Sequence, residues 1–121
     1  MYRPPKISID TLSTFFYNFE AILQRVYAKK VVICGDFNID TLKHSRLSSQ
    51  FKNLLLSYNL KPSIHQPTRL LSGTCIDNII HNIRGSNSEV VELAISDHTA
   101  QIIKCPVKKT YTISHWYQQK R

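Results

Sequence analysis

Residues 31–40 read Val-Val-Ile-Cys-Gly-Asp-Phe-Asn-Ile-Asp, or VVICGDFNID. Residues 31–34 are β-prone and apolar without alternation, the pattern of a strand buried on both faces. The run stops at Gly35 and delivers a carboxylate, Asp36, and a carboxamide, Asn38. In an extended chain residues i and i+2 lie on the same side. Asp36 and Asn38 are therefore expected to point together into the space beyond the strand end. A core has no use for such a pair, whereas a site acting on a charged substrate does. The same residues also fit an Asx-turn, because Asp and Asn are common turn residues.

The elements on either side suit a small α/β domain. Arg3-Pro4-Pro5 excludes helix. Asp10 is placed to cap a helix in which Phe15, Phe19, Ile22, Leu23 and Val26 recur at helical spacing, ending near Lys29. Ser45 is placed to cap a second helix with the stripe Leu47, Phe51, Leu54, Leu55 and Tyr58. Pro62 opens a short extended piece, 63–65, and 67–73 reads as a loop. Residues 75–82 form a strand and 84–88 a turn. Two further strands, 89–95 and 100–105, are joined at Ser96-Asp97-His98. Residues 106–121 are polar and basic and read as a terminal strand and linker. Helices alternate with strands early and strands meander late, which predicts a mixed β-sheet with covering helices.

Composition narrows the classes. A chain of 121 residues with 42% hydrophobic and 20% charged residues suits one globular domain. Its apolar runs are too short to span a bilayer, and Met-Tyr-Arg-Pro-Pro lacks the apolar core of a signal peptide. An intracellular chain, nuclear or cytoplasmic, is expected, with no membrane partner. Cys34, Cys75 and Cys105 are scattered and form no CxxC pair, so reduced thiols are expected and a zinc site is not. A formal charge of +8 favours polyanionic partners. A plain basic surface accounts for it equally well, since the paired positions Lys29-Lys30, Lys108-Lys109 and Lys120-Arg121 outline no groove. Only three glycines are present, and neither a Gly-rich phosphate loop nor a GxSxG elbow occurs. His44, His65, His81 and His115 lack metal-ligand spacing.

Polar residues gather at the ends of the apolar strands. Asp77 interrupts Cys75-Ile76-Asp77-Asn78-Ile79-Ile80, and Asp97-His98 follows residues 89–95. A carboxylate in a buried strand is costly unless paired, and His98 is its natural partner. A carboxylate on one imidazole nitrogen fixes the tautomer and leaves the other nitrogen for a reactant. Asp36 and Asp97 then remain to bind a cation or orient water. Taken singly, Asp97 is as readily a cap, and His98 a surface histidine.

Gly35-Asp36-Phe37-Asn38, Thr74-Cys75-Ile76-Asp77-Asn78-Ile79 and Ile95-Ser96-Asp97-His98, in that order, resemble the motifs of the endonuclease/exonuclease/phosphatase family. The spacing is most similar to the apurinic-type endonuclease domain of non-LTR (LINE-type) retrotransposons. Tyr2-Arg3-Pro4-Pro5 is similar to that domain's YRPP element, and Pro67-Thr68-Arg69 to its PTR element. The resemblance implies a DNase I-like four-layer α/β/β/α sandwich, of which residues 1–105 match the C-terminal part. It implies Mg²⁺-assisted hydrolysis of DNA phosphodiesters. Position by position, it makes His98 the catalytic histidine and Asp77 the carboxylate that orients it. Asp36 would position or deprotonate the attacking water, and Asn38 would hold the scissile phosphate. Asp97 would be a metal carboxylate, and Tyr2 would contact the phosphate or leaving group. The family's asparagine and metal-ligating glutamate precede its YRPP element, and neither Glu20, Glu89 nor Glu92 matches that glutamate. Impaired hydrolysis is therefore expected, as is self-association through an uncovered sheet face. The alternative expectation is a catalytically inactive nucleic-acid-binding remnant.

Overall fold

The computed structural model describes residue 1, residues 9–93 and residues 95–106. Tyr2 with its YRPP element, and the expected tail beyond Pro106, lie outside these residues. The described elements are α1 (Ile9–Val26), β1 (Val32–Asp36), α2 (Arg46–Ser57), β2 (Lys61–Pro62), β3 (Asp77–His81), β4 (Asn87–Val91) and β5 (Ala100–Lys104). No helix among them is long and apolar enough to cross a membrane.

Both helices form for the reasons their spacing suggests. α1 buries Phe19 and Leu23, and α2 buries Phe51 and Leu55. The Ser45 hydroxyl accepts from the Ser48 amide at 3.1 Å, closing the first turn of α2. Asp10 is not the cap of α1: the helix begins at Ile9, and Asp10 sits in its first turn, where a carboxylate still complements the helix dipole.

β1, β3 and β2 make a three-stranded sheet in that order, and β4 pairs with β5 in a second sheet. All these pairings are antiparallel, which corrects the expectation of a mixed sheet. Helix–strand alternation suggested a parallel crossover. Instead, the chain returns from α2 through β2, an edge strand of two residues, and reverses into β3. Pro62 is tolerated in β2 because an edge strand need not donate on its outer side.

Alternation along the strands separates two cores. Ile80 joins Phe19, Leu23, Phe37, Phe51 and Leu55 on the helix side, with Ile33 packed against them. Its neighbour Ile79 joins Ile64 and Cys75 on the other side, where Val32, Val90 and Ile103 pack. The three-stranded sheet thus lies between the helices and the β4–β5 hairpin. Cover from the hairpin explains why Ile79 is buried, at 3% exposure, instead of forming part of an open apolar face. Ile102, on the hairpin, is 40% exposed. β1 itself is half-buried with Cys34 exposed, because it is a sheet edge and the hairpin does not reach that residue. β4 starts earlier and stops sooner than its apolar run, ending at Val91, and β5 begins at Ala100.

Phe51 touches both Phe19 and Phe37, with ring centroids 5.9 and 5.2 Å apart. Phe51→Ala is expected to cost about 3–5 kcal/mol of unfolding free energy. Leu56→Ala on the exposed side of the same helix is expected to change it by about 0.5 kcal/mol or less. Urea unfolding followed by circular dichroism measures both.

Candidate functional site

The strand end at Asp36-Phe37-Asn38 turns its middle residue into the core. Phe37 is 1% exposed and packs between Phe19 and Phe51. With its ring turned into the core, Asp36 is left in the cluster with Asp77 and His98. Asp36 and Asn38 are not paired by strand geometry, however. β1 ends at Asp36, and Asn38 adopts a left-handed backbone with φ of 51°. The Asn38 amide donates to Asp36 Oδ1 at 2.9 Å. The Asx-turn is therefore present, and it sets the position of both residues.

Across the sheet, Asp36 lies directly opposite Asp77 in the β1–β3 register. Two carboxylates facing each other are unfavourable neighbours. Burial pushes the Asp36 carboxyl above its ordinary pKa; the Asn38 amide opposes that rise and the charge of Asp77 adds to it. Asp77 meets His98 as its position in an apolar strand required. Asp77 Oδ2 and His98 Nδ1 are 2.8 Å apart. With Nδ1–H donating to the carboxylate, Nε2 of the neutral ring is an acceptor. The histidine side chain is 39% exposed and that of Asp77 13%, so the pair is anchored inside and open outside. Ligand atoms of Asp36, Asp77 and His98 all lie within 4.8 Å of one another.

Asp97 is placed apart from this cluster. Its Oδ2 accepts from Arg69 Nε at 2.6 Å and its Oδ1 from the Leu71 amide at 2.8 Å. The Arg69 guanidinium, then the Leu71 amide, hold its carboxyl below the usual range. Both of its oxygens are thus engaged by donors, a poor starting point for the metal-ligand role expected of it. Its observed work is to fasten the chain beside His98 to the loop at Arg69–Leu71, where the Leu70 amide also donates to the Asp97 carbonyl at 2.9 Å.

Thr68 was missed as a site residue. It is fully buried, and its hydroxyl donates to Asp77 Oδ2 at 2.9 Å, the same oxygen that meets His98. That hydroxyl also accepts from the Ile76 and Asp77 amides at 3.2 and 3.1 Å. Its carbonyl accepts from the Thr99 amide at 2.7 Å, one residue past His98. A threonine in a loop carries no burial signal of its own; the PTR resemblance was the one pointer to it. Asn78 is likewise buried, but its side chain is structural: Oδ1 accepts from the Ser63 and Ile64 amides, holding that segment against β3.

The arrangement can hold one proton acceptor, His98 Nε2, next to a carboxylate, Asp36, that burial destabilises in its charged form. Such a pair suits the handling of water or a protonated leaving group near a cationic or phosphate-bearing ligand. Compared with known proteins, the sequence matches no family model, no curated protein and no solved structure.

Thr68→Val keeps the shape and removes the hydroxyl, leaving two buried amides without their acceptor. The expected loss is about 1–3 kcal/mol for each such group left unsatisfied. Thr68→Ser is expected to recover most of it in the same urea titration. Asp36 yields a second expectation. Its raised pKa means that the folded chain takes up a proton there more readily than the unfolded chain. Ionised Asp36 therefore works against folding above its folded-state pKa, and the penalty fades as pH falls through that value. Asp36→Asn is expected to raise the thermal midpoint at pH about 7, with the advantage vanishing below pH about 4. Differential scanning fluorimetry across that interval checks the sign.

Proposed function

We propose that this chain carries the catalytic end of a metal-assisted phosphodiesterase, acting on DNA in the manner of the endonuclease/exonuclease/phosphatase family. The observation that supports the reading most strongly is the 2.8 Å contact between Asp77 and His98, with the Asp36 carboxylate in the same cluster. A carboxylate–imidazole pair aimed out of a sheet end is what proton transfer at a phosphoryl centre needs. His98 Nε2 holds or gives the proton. Asp77 fixes the tautomer, and Thr68 holds Asp77. Asn38, set by its Asx-turn beside Asp36, is the residue assigned to the phosphate. The net charge of +8 suits a polyanionic substrate.

The donor set fits a hard cation in part. Asp36 faces a second carboxylate, and a cation there would relieve both its desolvation and its repulsion from Asp77. Mg²⁺ would rest chiefly on Asp36 and retain several of its waters. When bound, it would supply Lewis-acid polarisation of a phosphoryl oxygen. With a single well-placed carboxylate, weak metal affinity and slow hydrolysis follow. In this reading the α/β/β layers of helices, sheet and hairpin are part of a DNase I-like four-layer sandwich.

Supercoiled plasmid nicking tests the proposal, run at high protein concentration with Mg²⁺ or with EDTA. Slow, Mg²⁺-dependent nicking is expected, and His98→Ala is expected to reduce it about 10²- to 10⁴-fold while leaving the thermal midpoint nearly unchanged. DNA binding without His98-dependent nicking would overturn the phosphodiesterase reading in favour of a nucleic-acid-binding module.

A further inference from the structure

The sheet has a second polar end, away from the Asp36–Asp77–His98 cluster. Asp77 is the first residue of β3 and His81 the last, so about 13 Å of strand separates them. Two adjoining cavities of about 440 and 430 Å³ open there, and Lys61, His81, Ile83 and Arg84 line both. Lys61 and His81 are directly opposite each other in the β2–β3 register, which puts their side chains on one face of the sheet. No acidic residue lines either cavity. Among the described residues, neither Lys61 nor Arg84 has an ion-pair partner.

The histidine here is a donor for a structural reason. The Ile83 amide donates to His81 Nδ1 at 3.1 Å, so Nδ1 must be the unprotonated nitrogen of the neutral ring. The proton is then on Nε2. The turn that follows contributes backbone to the second cavity. Ser86 Oγ is buried and has no hydrogen-bond partner among the described protein atoms, and Ser86 lines the second cavity. That hydroxyl is closed off from solvent, so it is not itself a donor to the cavity's contents. Two cations and an imidazole N–H, with no carboxylate among the described residues of either lining, give the cavities a positive charge that nothing there offsets, beside neutral Asn and Ser side chains. An anion rich in acceptors is the ligand that such a charge favours.

We propose that these cavities form an oxyanion site of the phosphate class. Lys61 and Arg84 supply its charge, and His81 Nε2–H its oriented donor. The site does not depend on the hydrolytic reading, because it shares no residue with the Asp36–Asp77–His98 cluster. Its ligand is either a phosphate of a nucleic-acid backbone or a small phosphate ester, which present the same oxygens.

Inorganic phosphate is the probe, titrated into the full ¹⁵N-labelled chain at constant ionic strength set with sodium chloride. Saturable shifts are expected at the Ile83 and Ser86 amides and the His81 ring, following a binding curve of their own that is independent of any shifts at Asn38 and His98. The double variant Lys61→Ala/Arg84→Ala is expected to weaken binding at least tenfold, and Lys61→Arg to retain it. A duplex oligonucleotide without terminal phosphates is then added to the phosphate-bound protein. Displacement of phosphate from these amides identifies the backbone as the source. Phosphate binding that the duplex leaves untouched identifies a small ester. Absence of saturable shifts, equal shifts with chloride alone, or unchanged phosphate affinity in the double variant would overturn the proposal.

Discussion

One buried hydroxyl holds the candidate site together. Thr68 Oγ1 gives its proton to Asp77 and takes two amide protons from the start of β3, while the Thr68 carbonyl takes a third from Thr99. Three stretches of chain therefore meet at a single residue: the 67–74 loop, the first residues of β3, and the connection that carries His98. Loops cannot be buried unless their polar groups are satisfied, and here the satisfaction is itself what positions the acid–base pair. Asp97 reinforces the same junction from outside through Arg69 and Leu71. The residue expected to bind a cation thus serves as a clasp.

The other determinant is the way VVICGDFNID spends its residues. Phe37 goes into the helix-side core while Asp36 joins Asp77 and His98, with the Asn38 amide bonded to its carboxylate, so packing and the cluster are coupled at one point in the chain. The coupling has an electrostatic cost. Asp36 faces Asp77 across the β1–β3 pair and is partly removed from water, and its carboxyl resists ionisation as a result. The favourable contacts that hold this arrangement are the three phenylalanine rings on one side and the Thr68 bonds on the other.

Much of this was legible in the sequence, and the limits have physical causes. Both helices were visible because their apolar residues repeat with the helical period over several turns, and Ser45 marked a start. The Asp77–His98 contact was inferable because a carboxylate in an apolar strand requires a partner. Strand order and the antiparallel sense were not legible. They depend on where the chain reverses, and a two-residue edge strand such as β2 has no periodicity to read. The cover over Ile79 was missed for a related reason, since the β4–β5 hairpin packs on its cluster through Val90 and Ile103. The period-two argument for Asp36 and Asn38 failed at the last residue of β1, where the chain leaves the strand. The turn chemistry of the same two residues brought them together instead. Thr68 was invisible as a functional residue because burial of a loop side chain is a tertiary fact.

The division of the interior into two cores has a consequence for how the molecule comes apart. None of the described residues of β4 or β5 belongs to the larger, helix-side cluster. The hairpin is held by the smaller one, by the Ser63–Ser88 hydroxyl contact, and by the bonds around Thr68 and Asp97. Such a unit opens at lower free energy than the whole domain. Because the histidine rides on the hairpin's connection, each opening dismantles the acid–base pair while the helices and β1 stay folded. Heat or a protease would then silence the site in a chain that still looks native by its helical signal. Loss of function and loss of fold would be separate events, joined through a handful of hydrogen bonds.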